Sequence, residues 1–323
     1  MTNPNWGILG PGGIASSFAK AILEVNGNIA GVWARKVEKA KAFAEEHGVE
    51  NVYDTVESML EDDGIDIVYV ATPHSVHYTY IMNALKHGKH VLCEKAITMN
   101  GRQLKEITDL AAEKGLVVAE AMTIYHMPLY KKLREIVDAG KIGNVNMVNV
   151  TFGSCKENDP TNRFFNPDLA GGGMLDIGTY ALSFTRFFLS SQPTEVLTTV
   201  KKHETGVDEQ SGIVLKNEND EMAVVSLAMR AKMPKRGIVS GDLGYITVDE
   251  FPRADRATIT YTKDGSVETI EAGVEGKALQ YEVEAMNELV VNKGENWTLP
   301  LSEQVMELMD EARRQWGLTY DFE

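Results

Sequence analysis

Near the start of the chain, the strand-like run Trp6-Gly7-Ile8-Leu9 passes directly into Gly10-Pro11-Gly12-Gly13-Ile14-Ala15 and then into the helical pattern Ile14–Val25. This is G-x-G-x-x-A between a strand and a helix, and each small residue answers a separate steric demand. Gly10 allows the tight turn, Gly12 lets the backbone approach a pyrophosphate, and Ala15 lets the helix pack closely on the strand. The helix N-terminus adds unpaired N–H groups and partial positive charge for phosphates. The six residues alone would also serve as a bare turn. Their position at the head of a βαβ unit selects dinucleotide binding, with Gly10, Pro11, Gly12, Gly13 and Ile14 as the contacts.

The following text keeps the alternation that such a unit begins. Ile29–Trp33, Ile65–Ala71, His90–Cys93 and Val117–Ala119 read as strands. Val37–His47, Val76–His87 and Arg102–Lys114 read as helices between them. Ile65–Ala71 is apolar throughout, as parallel strands covered on both faces tend to be. The pattern predicts a Rossmann-type doubly wound parallel sheet over residues 1–122. Beyond it Leu129–Ala139 reads as a helix, Val145–Phe152 as a strand, and Gly171–Leu189 as a glycine run entering a helix. Residues 196–270 are mostly β, with a hairpin turn at Asp264-Gly265. Helices Gln280–Val291 and Ser302–Trp316 follow, the latter with Ser302 as its expected cap. Residues 123–323 are therefore expected to form an α+β domain with a largely antiparallel open sheet, the last helix packing back on the first domain. At 323 residues, two cores are expected rather than one.

Charge narrows the partners. Asp plus Glu number 47 against 32 Lys plus Arg, a net charge of −15, which argues against nucleic acid or an anionic membrane as the main partner. No apolar run is long enough to span a bilayer, and Met1-Thr2-Asn3-Pro4-Asn5 lacks the basic-then-apolar order of a secretory leader. The two cysteines, Cys93 and Cys155, form no disulfide framework or metal-ligand spacing, and a cytoplasmic location is expected. Within this acidic chain the second strand runs out into Arg35-Lys36, where NAD-preferring sites carry an acid for the ribose 2′-hydroxyl. A guanidinium suits a 2′-phosphate instead, so NADP is favoured over NAD. The competing reading is that both cations simply open the second helix as solvated surface.

Hydride transfer needs a proton donor and acceptor at the carboxyl ends of the parallel strands. His90-Val91-Leu92-Cys93-Glu94-Lys95 puts Lys95 at such an end, though a lone lysine there is equally a surface charge. In Gly171-Gly172-Gly173-Met174-Leu175-Asp176-Ile177-Gly178-Thr179-Tyr180, Asp176 and Tyr180 are four apart and share a face if helical. Spacing alone leaves a first-turn acid and a half-buried core aromatic as an equal alternative.

Taken together, Gly7–Ala15, Ala71-Thr72-Pro73-His74-Ser75-Val76-His77, His90–Lys95 and Gly171–Tyr180 resemble the Gfo/Idh/MocA oxidoreductase family, in its order and over nearly the whole chain. Within it the chain looks most like the dimeric dihydrodiol dehydrogenases and NADP-dependent xylose dehydrogenases. That subgroup has tyrosine at the position of Tyr180, and Tyr281–Glu284 and Asp310–Gln315 also look like it. The resemblance implies Lys95, Asp176 and Tyr180 as catalytic residues. Tyr180 would exchange a proton with the substrate oxygen, Lys95 would lower the phenol's pKa, and Asp176 would orient a substrate hydroxyl or balance Lys95. It further implies cofactor contacts from Thr72, Pro73, His74, His77, Glu94 and Lys95, and pocket roles for Phe152 and for Arg163, which could equally tie down its own loop.

His74-x-x-His77 has the spacing of a metal pair, but no third ligand is spaced to join it, and no metal is expected. His77 as a packed helix-start histidine remains the alternative to cofactor contact. Two departures stand out. Ala96 follows Glu94-Lys95 where the family usually has proline, which leaves Lys95 less constrained by its neighbour. Ala121–His126 lacks the Trp and Arg often found in the subgroup, so its substrates do not transfer. The expected activity is NADP-dependent hydride transfer to or from a sugar, polyol or other small hydroxy or carbonyl compound. The rival is an NADP-binding sensor without turnover. The open sheet face of the second domain needs a cover, and the resemblance implies a homodimer.

Overall fold

The computed structural model describes residues 3–323; Met1 and Thr2, the first letters of the segment read for a leader, lie outside the described residues. The chain divides into two compact units, one holding the chain up to Met122 together with Gly276–Leu299, the other Thr123–Glu275 and Pro300–Glu323.

In the first unit the chain runs β1 (Asn5–Leu9), α1 (Gly13–Glu24), β2 (Asn28–Trp33), α2 (Val37–His47), β3 (Asn51–Tyr53), α3 (Val56–Leu60), β4 (Ile67–Val70), α4 (His77–Lys86), β5 (His90–Glu94), α5 (Gly101–Lys114) and β6 (Val118–Ala121). All strands are parallel, in the order β3-β2-β1-β4-β5-β6, the doubly wound order that the alternation predicts. The short β3 and α3 were not foreseen. Three residues, Asn-Val-Tyr, carry too little periodicity to announce a strand. Gly31 of β2 makes room for β3's Tyr53, whose ring would lie 2.3 Å from a Cβ there.

The second unit begins with α6 (Thr123–His126) and α7 (Pro128–Asp138), then β7 (Val145–Gly153). A π-helical turn, Met174–Gly178, leads into α8 (Thr179–Phe188). Then come β8 (Pro193–Lys202), β9 (Asp208–Asn217), β10 (Met222–Ala228), β11 (Met233–Gly241), β12 (Gly244–Asp249), β13 (Arg256–Tyr261) and β14 (Val267–Glu271). The eight strands lie in the order β14-β13-β12-β11-β7-β10-β9-β8. All neighbours are antiparallel except β7 with β10; the chain leaves the sheet after Gly153 and re-enters it at Pro193. α8 packs on one face. Its Phe184 is buried among Phe188, Phe251 and Tyr130, and fits because β11 has Gly237 beneath it, where a Cβ would meet the ring at 2.2 Å.

Alternation puts the other side chains on the opposite face. Strand register aligns Leu197, Val214, Val224, Asn149, Ile238, Thr247 and Thr258 in one row across it. Leu197 is 67% exposed and Val224 38%.

Two expectations about the closing helices are corrected. α9 (Ala278–Asn292), not the last helix, joins the first unit, placing Leu279, Val283 and Met286 in one buried cluster with Phe18 and Ile22. α10 (Leu299–Trp316) belongs to the second unit from Pro300 onward, its Gln315 donating to the Val196 carbonyl at 2.6 Å. Nor does Ser302 cap it. The helix starts at Leu299, since a proline is tolerated in the first turn, where its missing N–H has no partner to lose, and Ser302 is buried inside it.

Candidate active site

The glycine loop is built as its sequence requires. Gly10 has φ +93°, and a Cβ there would stand 2.7 Å from Thr72 Cγ2 and 3.0 Å from the Ala71 carbonyl. Its N–H donates to the Trp33 carbonyl at 3.1 Å, and Gly12 N–H returns to the Gly10 carbonyl at 2.9 Å. At Gly12 and Gly13 no atom lies within 4 Å of where a Cβ would be. The space beside the α1 N-terminus is open, and no acid occupies its first turn. Thr72 Oγ1, from the strand end packed on Gly10, is buried without a hydrogen-bond partner. An open cradle, an unopposed helix N-terminus and an orphaned hydroxyl fit a dinucleotide's diphosphate. Pro11 and Ile14 are part-exposed on the same loop.

Arg35 and Lys36 are exposed where β2 ends and α2 begins, so they do open that helix. Neither is ion-paired among the described residues. Beside them Trp33 and Tyr80 meet edge to face at 5.8 Å, and the Arg35 charge acts on the Tyr80 phenol. Tyr80, in the middle of a helix, had no motif to announce it.

The two histidines hold backbone. His74 Nε2 lies 3.0 Å from the Lys95 carbonyl, while His77 Nε2 lies 2.8 Å from the Thr72 carbonyl and its Nδ1 3.0 Å from that of Ala96. These three nitrogens face main-chain carbonyls. His77 is fully buried at the start of α4. Burial, outweighing the carbonyl contacts, pulls its pKa below the usual histidine range. The Lys95–Ala96 peptide is cis, Ala96 is buried, and Ile97 N–H donates to Glu120 Oε1 at 3.0 Å. Glu94 accepts from the Tyr69 hydroxyl, whose ring stacks on Phe18 at 3.9 Å. Pro73 is exposed at the head of the loop.

Lys95 stands on the first unit, Asp176 and Tyr180 on the second. Asp176 lies within the π turn, a wider coil than the α-helix expected and one often found at functional sites; Tyr180 is the second residue of α8. Asp176 is buried, and Arg163 Nη1 approaches its Oδ1 to 3.6 Å. The Arg163 guanidinium lies over the Phe164 ring at 4.2 Å, so this exposed residue is tied to its loop as well as to the acid. Phe152 is buried with its ring 6.2 Å from that of Tyr180.

Two buried titrating groups flank this region in sequence without having been legible in it. His126 of α6 is fully buried, which pulls its pKa down to about 4. Asp208, also fully buried, is pushed by burial up to about 6 against hydrogen bonds and Arg313 that favour its charge. His126 therefore contributes stability that is present above about pH 6.5 and lost as pH falls toward 4. Asp208 acts in the opposite sense: its contribution is present below about pH 4 and lost as pH rises through 6. At about 1.4 kcal/mol per factor of ten in proton affinity, each is on the order of 3 kcal/mol, and the two act in opposite directions. Asp208→Asn removes one of them. In urea unfolding, the stability of Asp208→Asn relative to wild type should be about 2–3 kcal/mol more favourable at about pH 7.5 than at about pH 4. An equal difference at both would mean that Asp208 titrates as an ordinary aspartate.

Residues 4–122 match the family model described as Gfo/Idh/MocA, oxidoreductase family, NAD-binding Rossmann fold, and residues 130–247 the Gfo/Idh/MocA C-terminal domain. A trans-1,2-dihydrobenzene-1,2-diol dehydrogenase of Xenopus laevis is 30% identical over 98% of both chains. The NADP+-dependent D-xylose 1-dehydrogenase of Hypocrea jecorina is 32% identical over 98% of this chain and 92% of its own. Among solved structures, a 3-ketoreductase of Actinomadura kijaniata in complex with NADP and TDP-benzene shares the fold with TM-score 0.87 at 22% identity, covering 97% of this chain and 98% of that one. Matched by the family's two domain models over residues 4–122 and 130–247 and by such relatives over nearly its whole length, the chain belongs to the Gfo/Idh/MocA family of oxidoreductases.

Proposed function

We propose that the protein is an NADP-dependent dehydrogenase or reductase acting on a sugar, polyol or related small hydroxy or carbonyl compound. The observation that carries this reading is the open cradle at Gly12 and Gly13 beside two exposed cations, Arg35 and Lys36, in a chain of net charge −15. The relatives named for NADP-dependent xylose oxidation and for dihydrodiol oxidation support it. NADP, bound at the glycine loop, supplies or accepts the hydride. Arg35 would hold its 2′-phosphate, with Thr72 and Pro73 after β4 and Glu94 and Lys95 at the end of β5 as the further contacts. Tyr180 donates or accepts the proton at its Oη. Asp176, steadied by Arg163, accepts a hydrogen bond from a substrate hydroxyl. Phe152 offers an apolar wall, and Lys95 provides the positive charge. The free cysteines, one buried and one exposed, fit a reducing cytoplasm.

The deciding experiment is titration with NADPH and NADH, followed by a screen of aldoses, polyols and dicarbonyls for a change in NADPH absorbance. Tight NADPH binding without turnover across the panel would favour a sensor instead. Tyr180→Phe should lower kcat by about 10²-fold or more while leaving NADPH affinity nearly intact; normal turnover would remove Tyr180 from the chemistry. Arg35→Ala should weaken NADPH by at least about tenfold and NADH by less than about twofold. Equal losses would mean that the guanidinium only stacks on adenine.

We further propose that the protein is a homodimer whose interface is the open face of the eight-stranded sheet. The row Leu197, Val214, Val224 and Ile238, with its exposed apolar members, is a surface that monomers rarely leave uncovered. Light scattering should give twice the chain mass of 35.7 kDa, and Val224→Glu should shift it toward that of one chain. A wild-type monomer would overturn this assignment.

A further inference from the structure

The turn that launches Asp176 and Tyr180 is gripped from two sides by residues that no motif marks. Asp208, the first residue of β9, is 1% exposed, and its Oδ2 accepts from the N–H of Met174, where the π turn starts, at 2.6 Å. Its Oδ1 has no hydrogen-bond partner and faces Gly172, where a Cβ would stand 2.2 Å away. Against the same turn, the Tyr320 hydroxyl donates to the Gly171 carbonyl and lies 3.3 Å from that same Gly172 position. Tyr320 is itself secured: the Arg313 guanidinium lies 5.0 Å from its ring centre and pairs with Glu323, whose carboxylate accepts from Tyr320 N–H at 3.2 Å. The turn is also joined to the segment that carries Arg163, since Gly172 N–H donates to the Phe164 carbonyl at 2.9 Å and Gly171 N–H to that of Asn166 at 3.0 Å. Three glycines in succession are needed because a carboxylate, a phenol and three carbonyls close on this backbone from all sides. Gly172, at φ +129°, adopts a conformation that few other residues accept.

Asp176 follows Met174 by two residues and Tyr180 by six, so any relaxation of the turn displaces both. A misplacement of about 1 Å in a reacting group costs on the order of 10²-fold in rate. We propose that Asp208 and Tyr320 are positioning residues of the active site, which hold the Gly171–Gly173 turn between them and so set where Asp176 and Tyr180 stand. The proposal rests on the reading above that Asp176 and Tyr180 act on the substrate. A buried carboxylate that leaves one oxygen unsatisfied is a costly way to pack a β-strand. Its position against the start of the site's helical turn gives that cost a purpose.

The test uses the full chain with Asp208→Ala, Asp208→Asn and Tyr320→Phe, reading kcat, KM and NADPH affinity on whichever compound the screen finds. Asp208→Ala and Tyr320→Phe should each lower kcat at least about tenfold, with KM and NADPH affinity within about threefold of wild type. Asp208→Asn keeps an acceptor for Met174 N–H and should recover most of the lost rate. Should Asp208→Ala fail to fold, Tyr320→Phe, which removes a single oxygen, carries the test. Wild-type kcat in a folded Tyr320→Phe overturns the proposal, as does a loss in which kcat and the fraction of protein binding NADPH fall together, the mark of general destabilisation. Normal turnover by Tyr180→Phe would instead remove the reading beneath it, so the two failures are told apart by that variant.

Discussion

Space at the backbone is the constraint on which both halves of this protein depend. In the first unit Gly10 lets the end of β1 lie against Thr72 and Ala71 more closely than any Cβ permits, and that approach places the α1 N-terminus beside an open cradle. In the second, Gly171–Gly173 admits Asp208, Tyr320 and three carbonyls around the turn that starts the π-helical segment. Each site is thus set by what is missing from a side chain. Polar groups then lock the geometry that the glycines make available.

Histidine and carboxylate groups work chiefly as ties for backbone. His77 spans the carbonyls of Thr72 and Ala96, and His74 adds that of Lys95. These bonds join the ends of two adjacent parallel strands, the place where an open α/β sheet presents its ligand-facing residues. Next to Ala96, Ile97 N–H is held in turn by Glu120. Asp208 does the corresponding work in the second unit.

The surface divides in a similar way. Adjacent cations recur in this acidic chain, as at Lys201-Lys202 and Lys235-Arg236, but Lys201 and Arg236 are ion-paired, whereas Arg35 and Lys36 at the end of β2 are exposed and, among the described residues, in no ion pair. The outer row of the second sheet is legible only through register. Leu197, Val214, Val224 and Ile238 are scattered over 42 positions of sequence, and strand pairing alone brings them into one row, with Asn149 between Val224 and Ile238.

The sequence by itself determined the strand–glycine–helix opening, the parallel alternation, the β-rich second half and the motifs that carry the family likeness. All of these rest on local periodicity and on residues whose steric needs act within a few positions. It had no means of showing β3, whose three residues are too short for a pattern, or the parallel pairing of β7 with β10. Nor could it show the π turn under Asp176, because i→i+5 bonding depends on what surrounds the helix rather than on its own spacing. Assigning α9 rather than α10 to the first unit was likewise a tertiary decision, made by which apolar stripe completes which core. Asp208 and Tyr320, 112 residues apart, meet at one glycine turn for the same reason: hydrogen bonds between distant segments are specified by the packed chain, and no local pattern encodes them.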